Sequence, residues 1–329
     1  MIRFLLRRLL HASMLVFITL TVTFFVLKIA PGDPLSRYYS PDIDPQVMAD
    51  VRRQLGLDRP LIVQYARTAW SYLCGDFGVS ISSHRPVSAI LGETIPRTLA
   101  LTLCALALQI VLGLALGALS AKRRDSVFDR ALSFVFLVFY SLPSFYFAFA
   151  LIALFSLKLG WLPSANMYSI PPVEGSALSC LADRVSHMVL PVSVLALGSA
   201  AALARYTRGS LLEVIHQDFI KTARAKGLAE TRIFWVHAMK NALPQILTVI
   251  GLSIPFLVGG AVVIEKIFAW PGMGALVVDS IFERDYPVVL AANFIGSCAV
   301  ILGNLLADVS HAWVDPRVRL GKRGKTSSA

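Results

Sequence analysis

Predominantly apolar stretches of about 20 residues, the length that crosses a bilayer as a helix, recur at six places: 9–27, 98–121, 131–157, 188–204, 242–264 and 287–307. The pattern predicts an all-α, polytopic membrane protein with six transmembrane helices, in one transmembrane domain over residues 1–329. Arg3, Arg7 and Arg8 ahead of the first run imitate a signal peptide. That run, LLHASMLVFITLTVTFFVL, exceeds a signal's apolar core of about 7–15 residues, and no small-x-small cleavage site follows it. It reads as an uncleaved first span.

Between the spans the periodicity changes. In segment 31–97, DPQVMADVRRQLGLD predicts a short helix with Asp44 as cap, Pro45 at the first position and Gly56 as terminator. DRPLIVQYARTAWSYLCGD repeats the design, with Leu61, Tyr65, Ala69 and Tyr72 at helical spacing. Such helices either lie on the outer membrane surface or cap the bundle, as plain surface structure or as a partner-docking element. GWLPSAN opens a Pro-, Ser- and Gly-rich loop in which Trp161 anchors at the interface. The polar tail 318–329 is expected to be disordered.

Composition agrees: 56% of residues are hydrophobic, mean hydropathy is +0.67, and 16% are charged, against about a quarter in soluble domains. With the N-terminus inside, the inner segments hold 19 of the 31 Lys and Arg, although the outer ones are longer in total. The positive-inside rule then puts both termini in the cytoplasm. This asymmetry explains most of the +11 net charge without nucleic acid as a partner. Cys104 and Cys298 fall within spans; Cys74 and Cys180 fall outside, where pairing is chemically open, and free thiols are expected.

Several chemistries are excluded. The tail's GKT lacks the Gly five residues before Gly324 that a phosphate loop needs, Arg319 standing there instead. PGMGALV lacks the third Gly of a dinucleotide fingerprint, and the six histidines have no ligand spacing. The sequence predicts no catalytic residue, no metal and no cofactor. Nor does any span carry a charge at its centre, Lys28, Glu265 and Asp308 lying at the ends. A proton-coupled carrier would keep a carboxylate or His there, so uphill transport would draw its energy from outside the bundle.

The cytoplasmic stretch FIKTARAKGLAETRIFWVHAMKNALP is long, basic and broken at a glycine. One helix is expected over 213–226, stopped by Gly227 in the left-handed conformation, and a second over 230–241, both projecting from the membrane. Topology setting explains the charge but neither the length nor the glycine; docking to a soluble partner explains all three.

TARAKGL followed by NALP resembles the cytoplasmic loop of binding-protein-dependent ABC importer permeases, most closely the first permease of dipeptide, oligopeptide and nickel systems. The resemblance covers nearly the whole chain through APGDP, QLGLDRPLIVQY, GDFGVS, GWLP, HMVLPVSVLAL, EKIFAWPGMGALVVDSIFERDYP and DPRVRLG. It implies a type I importer permease in a bacterial inner membrane, forming half of a translocation pathway. Implied partners are a second permease subunit in a heterodimer, two ATP-binding ATPase subunits and an extracytoplasmic substrate-binding protein. The family's E-A-A-x-x-x-G pattern falls on Lys221, Thr222, Ala223 and Gly227, with Lys in place of Glu and Thr in place of the first Ala. Within the segment 208–241 the implied ATPase-coupling loop comprises Asp218, Lys221, Thr222, Ala223, Arg224, Ala225, Lys226, Gly227, Leu228 and Glu230. Cargo carried by such relatives includes dipeptides, longer peptides, nickel chelates, glutathione and opines. Two rivals are an ion-coupled secondary transporter and a membrane scaffold or receptor.

Overall fold

The computed structural model describes residues 2–29, 46, 50, 52–53, 56, 58–253 and 261–314, with side chains from 10 to 304 of these. The expected helix after Asp44, the APGDP motif, part of the fifth predicted span and the tail 318–329 lie outside the described residues. The secondary structure is helical: α1 Ile2–Ile29, α2 Leu61–Leu73, α3 Val87–Lys122, α4 Val127–Ser141, α5 Ser144–Leu151, α6 Ala177–Ile215, α7 Asp218–Ala225, α8 Met239–Ser253, α9 Val262–Ile267, α10 Met273–Glu283 and α11 Tyr286–Val314. Among the described residues, four helices are long and apolar enough to cross a membrane, over Leu10–Ile29, Val87–Lys122, Ala177–Ile215 and Tyr286–Asn304. α3 and α6, at 36 and 39 residues, run well past the apolar stretches that predicted them. At 1.5 Å per residue they are about 54 and 58 Å long, beyond the roughly 30 Å hydrocarbon core.

The predicted third span is not one straight helix. α4 and α5, the latter prolonged as a π-helix over Ile152–Lys158, meet at 105°. The break has a local cause. Pro143 disfavours the helical region for the residue before it, and Leu142 sits at φ −74°, ψ 126°. The bent pair supplies a fifth span where its halves are counted together. All four cysteines are free thiols.

The chain forms two compact units, Met1–Arg97 with Gly272–Ile301, and Thr98–Pro271 with Leu302–Ala329. In the first, the Asp285 carboxylate is buried and accepts from Ser80 Oγ at 2.5 Å, Ser82 Oγ at 2.9 Å and the N–H groups of Ile81 and Ser82 at 3.2 Å. These four donors replace the water the carboxylate loses. They also tie GDFGVS to ERDYP, so two motifs far apart in sequence form one joint.

In the second unit α3 and α6 are pressed together at two glycines. A Cβ on Gly113 would come within 2.7 Å of the Leu203 side chain, and one on Gly117 within 2.5 Å of the Ala204 carbonyl oxygen. Small residues let helix backbones approach this closely where no hydrophobic effect drives association. Thr207, beside Gly117, is buried with its hydroxyl unbonded. Because an unsatisfied buried hydroxyl costs about 1–3 kcal/mol, Thr207→Val, which keeps the shape, is expected to leave thermal stability unchanged or raise it. A clear fall in melting temperature would show that the hydroxyl is bonded in the membrane. The EKIFAW motif is likewise structural. Glu265 is fully buried and accepts from Thr98 Oγ1 at 2.7 Å, Trp270 is fully buried, and the Phe268 carbonyl accepts from Asn166 N, in the GWLPSAN loop, at 2.8 Å.

Candidate coupling surface

α7 sits on the end of α6. The predicted helix over 213–226 is instead broken at His216 and Gln217: α6 closes with His216 as its C-cap, Gln217 turns extended at φ −75°, ψ 154°, and α7 begins at Asp218. The turn lets α7 lay one face down. Ile220 and Ala223 are buried, packed in one cluster with Leu203, Leu211 and Val214 of α6 and Ala118 and Ala121 of α3. The second predicted helix, over 230–241, has no end of its own. Glu230–Arg232 leads into a π stretch, Ile233–Ala238, and then into α8. Ile233, Phe234 and Ala238 join the same cluster. The segment is therefore seated on the bundle by its apolar side, because its apolar positions recur at helical spacing and have a core to meet.

Gly227 ends α7. Its N–H donates to the Arg224 carbonyl at 2.9 Å and that of Leu228 to the Ala223 carbonyl at 3.3 Å. These are the two bonds of a left-handed helix cap, and Gly227 has φ +75°. A Cβ there would meet nothing within 4 Å. The demand for glycine is one of backbone conformation, not of space. Leu228 follows and packs on the cluster.

The structure brings the predicted residues together on one element and its cap. Asp218, Lys221, Thr222, Arg224, Ala225, Lys226 and Glu230 are exposed, whereas Ala223 is buried and serves packing. Lys221 Nζ donates to Asp218 Oδ1 at 2.8 Å, and this bond holds the Asp218 carboxyl below its ordinary range. Arg224 grips Glu230 across the glycine with two bonds, at 2.6 and 3.2 Å. That grip lowers the Glu230 pKa and raises that of Arg224. The exposed face thus pairs its own charges and leaves Lys226 and the 38% exposed ring of Phe219 beside them. Sequence reasoning passed over Phe219. Its signal was an aromatic residue at the edge of the apolar Ile220–Ala223 face of a short amphipathic helix. It also passed over Asp129, which is buried and bonded to the Arg208 guanidinium at 2.9 and 2.7 Å, to the Asp125 N–H at 3.0 Å and to the Ser120 hydroxyl.

Residues 113–320 match the family model described as the binding-protein-dependent transport system inner membrane component, and residues 1–102 match the N-terminal model of such membrane components. The chain is 40% identical over 313 residues to the oligopeptide transport system permease protein AppB of Bacillus subtilis, covering 95% of this chain and 97% of that one. It is 38% identical over 319 residues to the glutathione transport system permease protein GsiC of Salmonella paratyphi A, covering 97% and 99%. Among solved structures, inward-facing conformations of the MetNI methionine ABC transporter superpose with TM-scores of 0.52 and 0.55 at 20% identity. They cover 69% of this chain and 97% and 96% of theirs.

Proposed function

The chain belongs to the binding-protein-dependent transport system inner membrane components and is an ABC importer permease; from that premise we propose that it forms half of a peptide-conducting pathway and takes its energy through α7. Peptide cargo is the reading favoured by relatives named for oligopeptides and for glutathione, itself a peptide. Six spans with both termini cytoplasmic agree with the distribution of Lys and Arg. Half a pathway calls for a second, related permease, two ATPase subunits beneath the pair and a substrate-binding protein outside. The ATPases close on ATP and move α7. Because α7 is packed on the end of α6, the displacement passes to the long helix as a rigid-body motion.

The observation that carries this reading is a short helix with an exposed polar face, seated on α6 and α3 by Ile220 and Ala223 and ended by Gly227 at φ +75°. Gly227→Val tests it. A side chain in the left-handed region costs roughly 1–2 kcal/mol, so the cap opens while every span is left intact. At equal membrane abundance, ATPase co-purification and uptake of a labelled peptide mixture are expected to fall about 5- to 30-fold for that energy. Gly227→Asn, which tolerates left-handed backbone, should lose much less. Charge reversal at Arg224 or Lys226 should also lose less than the valine, since both are solvent-exposed. Full uptake with full ATPase retention in Gly227→Val would end the coupling assignment.

A further inference from the structure

Among the described residues, the partners of α2 leave one stripe of the helix uncovered. Tyr65 stacks on Phe25 with ring centroids 5.7 Å apart and meets Phe24 edge-on at 5.5 Å. Its hydroxyl lies 2.6 Å from Thr21 Oγ1, and because Thr21 already donates to the Phe17 carbonyl, Tyr65 is the donor. Tyr72 is buried against Phe77 and Phe294. A third side, with Gln64, Thr68 and Ser71, borders a polar-rimmed cavity of about 360 Å³. The remaining stripe is Ile62, Ala66, Trp70 and Leu73, in steps of four, four and three residues. Ile62, Trp70 and Leu73 are 76%, 69% and 77% exposed.

We propose that α2 is an interfacial helix whose Ile62–Ala66–Trp70–Leu73 stripe sits in the headgroup–acyl boundary of the leaflet at the carboxyl-terminal end of α1. Three observations point to lipid as the occupant. First, α2 is fastened to a membrane span at Phe17, Thr21, Phe24 and Phe25, which lie about 6–18 Å below the end of α1 at Ile29. That is the depth of one leaflet. Second, α1 exposes Phe17, Ile18, Val22 and Val26, so the stripe continues an apolar surface already facing acyl chains. Third, the stripe carries a tryptophan, an interfacial residue, and α2 carries an exposed Arg67, with an exposed Arg59 just before its start, cations of the kind that a headgroup region favours. Left in water, large side chains of this kind would each forgo the burial energy that lipid supplies. The inference rests on α1 being a span. Which leaflet is involved rests on the orientation proposed above, which labelling of a cysteine at Asp76 from outside tests separately.

The test is site-directed spin labelling of the assembled transporter in liposomes, with Cys74, Cys104, Cys180 and Cys298 replaced by serine. Single labels at 62, 66, 70 and 73 are expected to collide several-fold more with oxygen than with a water-soluble nickel chelate. Labels at 64, 68 and 71 should show the reverse ratio. Nickel accessibility at 62 and 73 would mean that the stripe faces water, and exclusion of both reagents would mean that a protein partner covers it. Either result overturns the proposal. Trp70→Phe provides a measurement that needs no label. Lipids brominated near the carbonyl should quench wild-type emission more than that of the variant, and equal quenching would also overturn the proposal.

Discussion

Gly117→Ala is expected to lower the stability of the second unit by about 1–3 kcal/mol, the usual cost of overpacking a close contact. The added methyl would meet the Ala204 carbonyl oxygen at 2.5 Å and the Thr207 Cβ at 2.7 Å. An obstacle made of backbone cannot be trimmed away, so Thr207→Ser should not rescue the variant. Gly113→Ala behaves differently, because its obstacles are the Leu203 Cγ, Cδ2 and Cβ. Combined with Leu203→Ala, it should cost less than the two changes taken separately, since the smaller side chain removes the clashes with Cγ and Cδ2 and leaves only that with Cβ. Melting curves of the purified transporter in mild detergent measure both series. Rescue of Gly117→Ala by Thr207→Ser would show that side chains, not backbone approach, set the α3–α6 distance.

The second large effect is expected at Asp129. Its carboxylate is 3% exposed and takes two bonds from Arg208, which is 27% exposed, together with those from Asp125 N and the Ser120 hydroxyl. Removing one member of a buried pair leaves the other desolvated, at a cost of about 3–5 kcal/mol. Asp129→Ala should fall near the lower end, because Arg208 can turn toward solvent. Arg208→Ala should cost a similar amount, and the double variant little more than either one. The consequence is geometric. Asp129 stands in the first turn of α4, capped by Ser126, and Arg208 lies seven residues before the end of α6. The pair, with Phe136 packed on Ala201 and Ala204, fastens the bent α4–α5 segment to the helix that carries α7. Loss of the pair should therefore reduce uptake more than ATPase co-purification, since α7 itself is untouched. Simple additivity of the two alanine costs in unfolding measurements would dismiss the pair as a unit.

The membrane class was legible from apolar runs of membrane-crossing length, and the family from the resemblance of short motifs in a fixed order, because all of these marks are local. The turn in segment 208–241 was legible for the same reason. A basic stretch broken at Gly227 announces a left-handed turn, and the structure places that residue at φ +75°. The relief of the loop was not legible. Whether Ile220, Ala223, Ile233 and Phe234 project or pack depends on what stands opposite them, and their partners on α3 and α6 come from residues 118–121 and 203–214.

By itself the sequence determined the helical class, the membrane setting, the importer family and the position of the turn, since each depends on composition or on residues a few places apart. Only the tertiary structure decided why particular polar and small residues stand where they do. Asp285 is buried because Ser80 and Ser82 supply its donors, Glu265 because Thr98 meets it, and Asp129 because Arg208 reaches it from another helix. Gly113 and Gly117 look like ordinary residues of an apolar run until α6 is laid against them. Burial of a charge and close approach of two backbones are properties of pairs distant in sequence, and no window along the chain contains both partners.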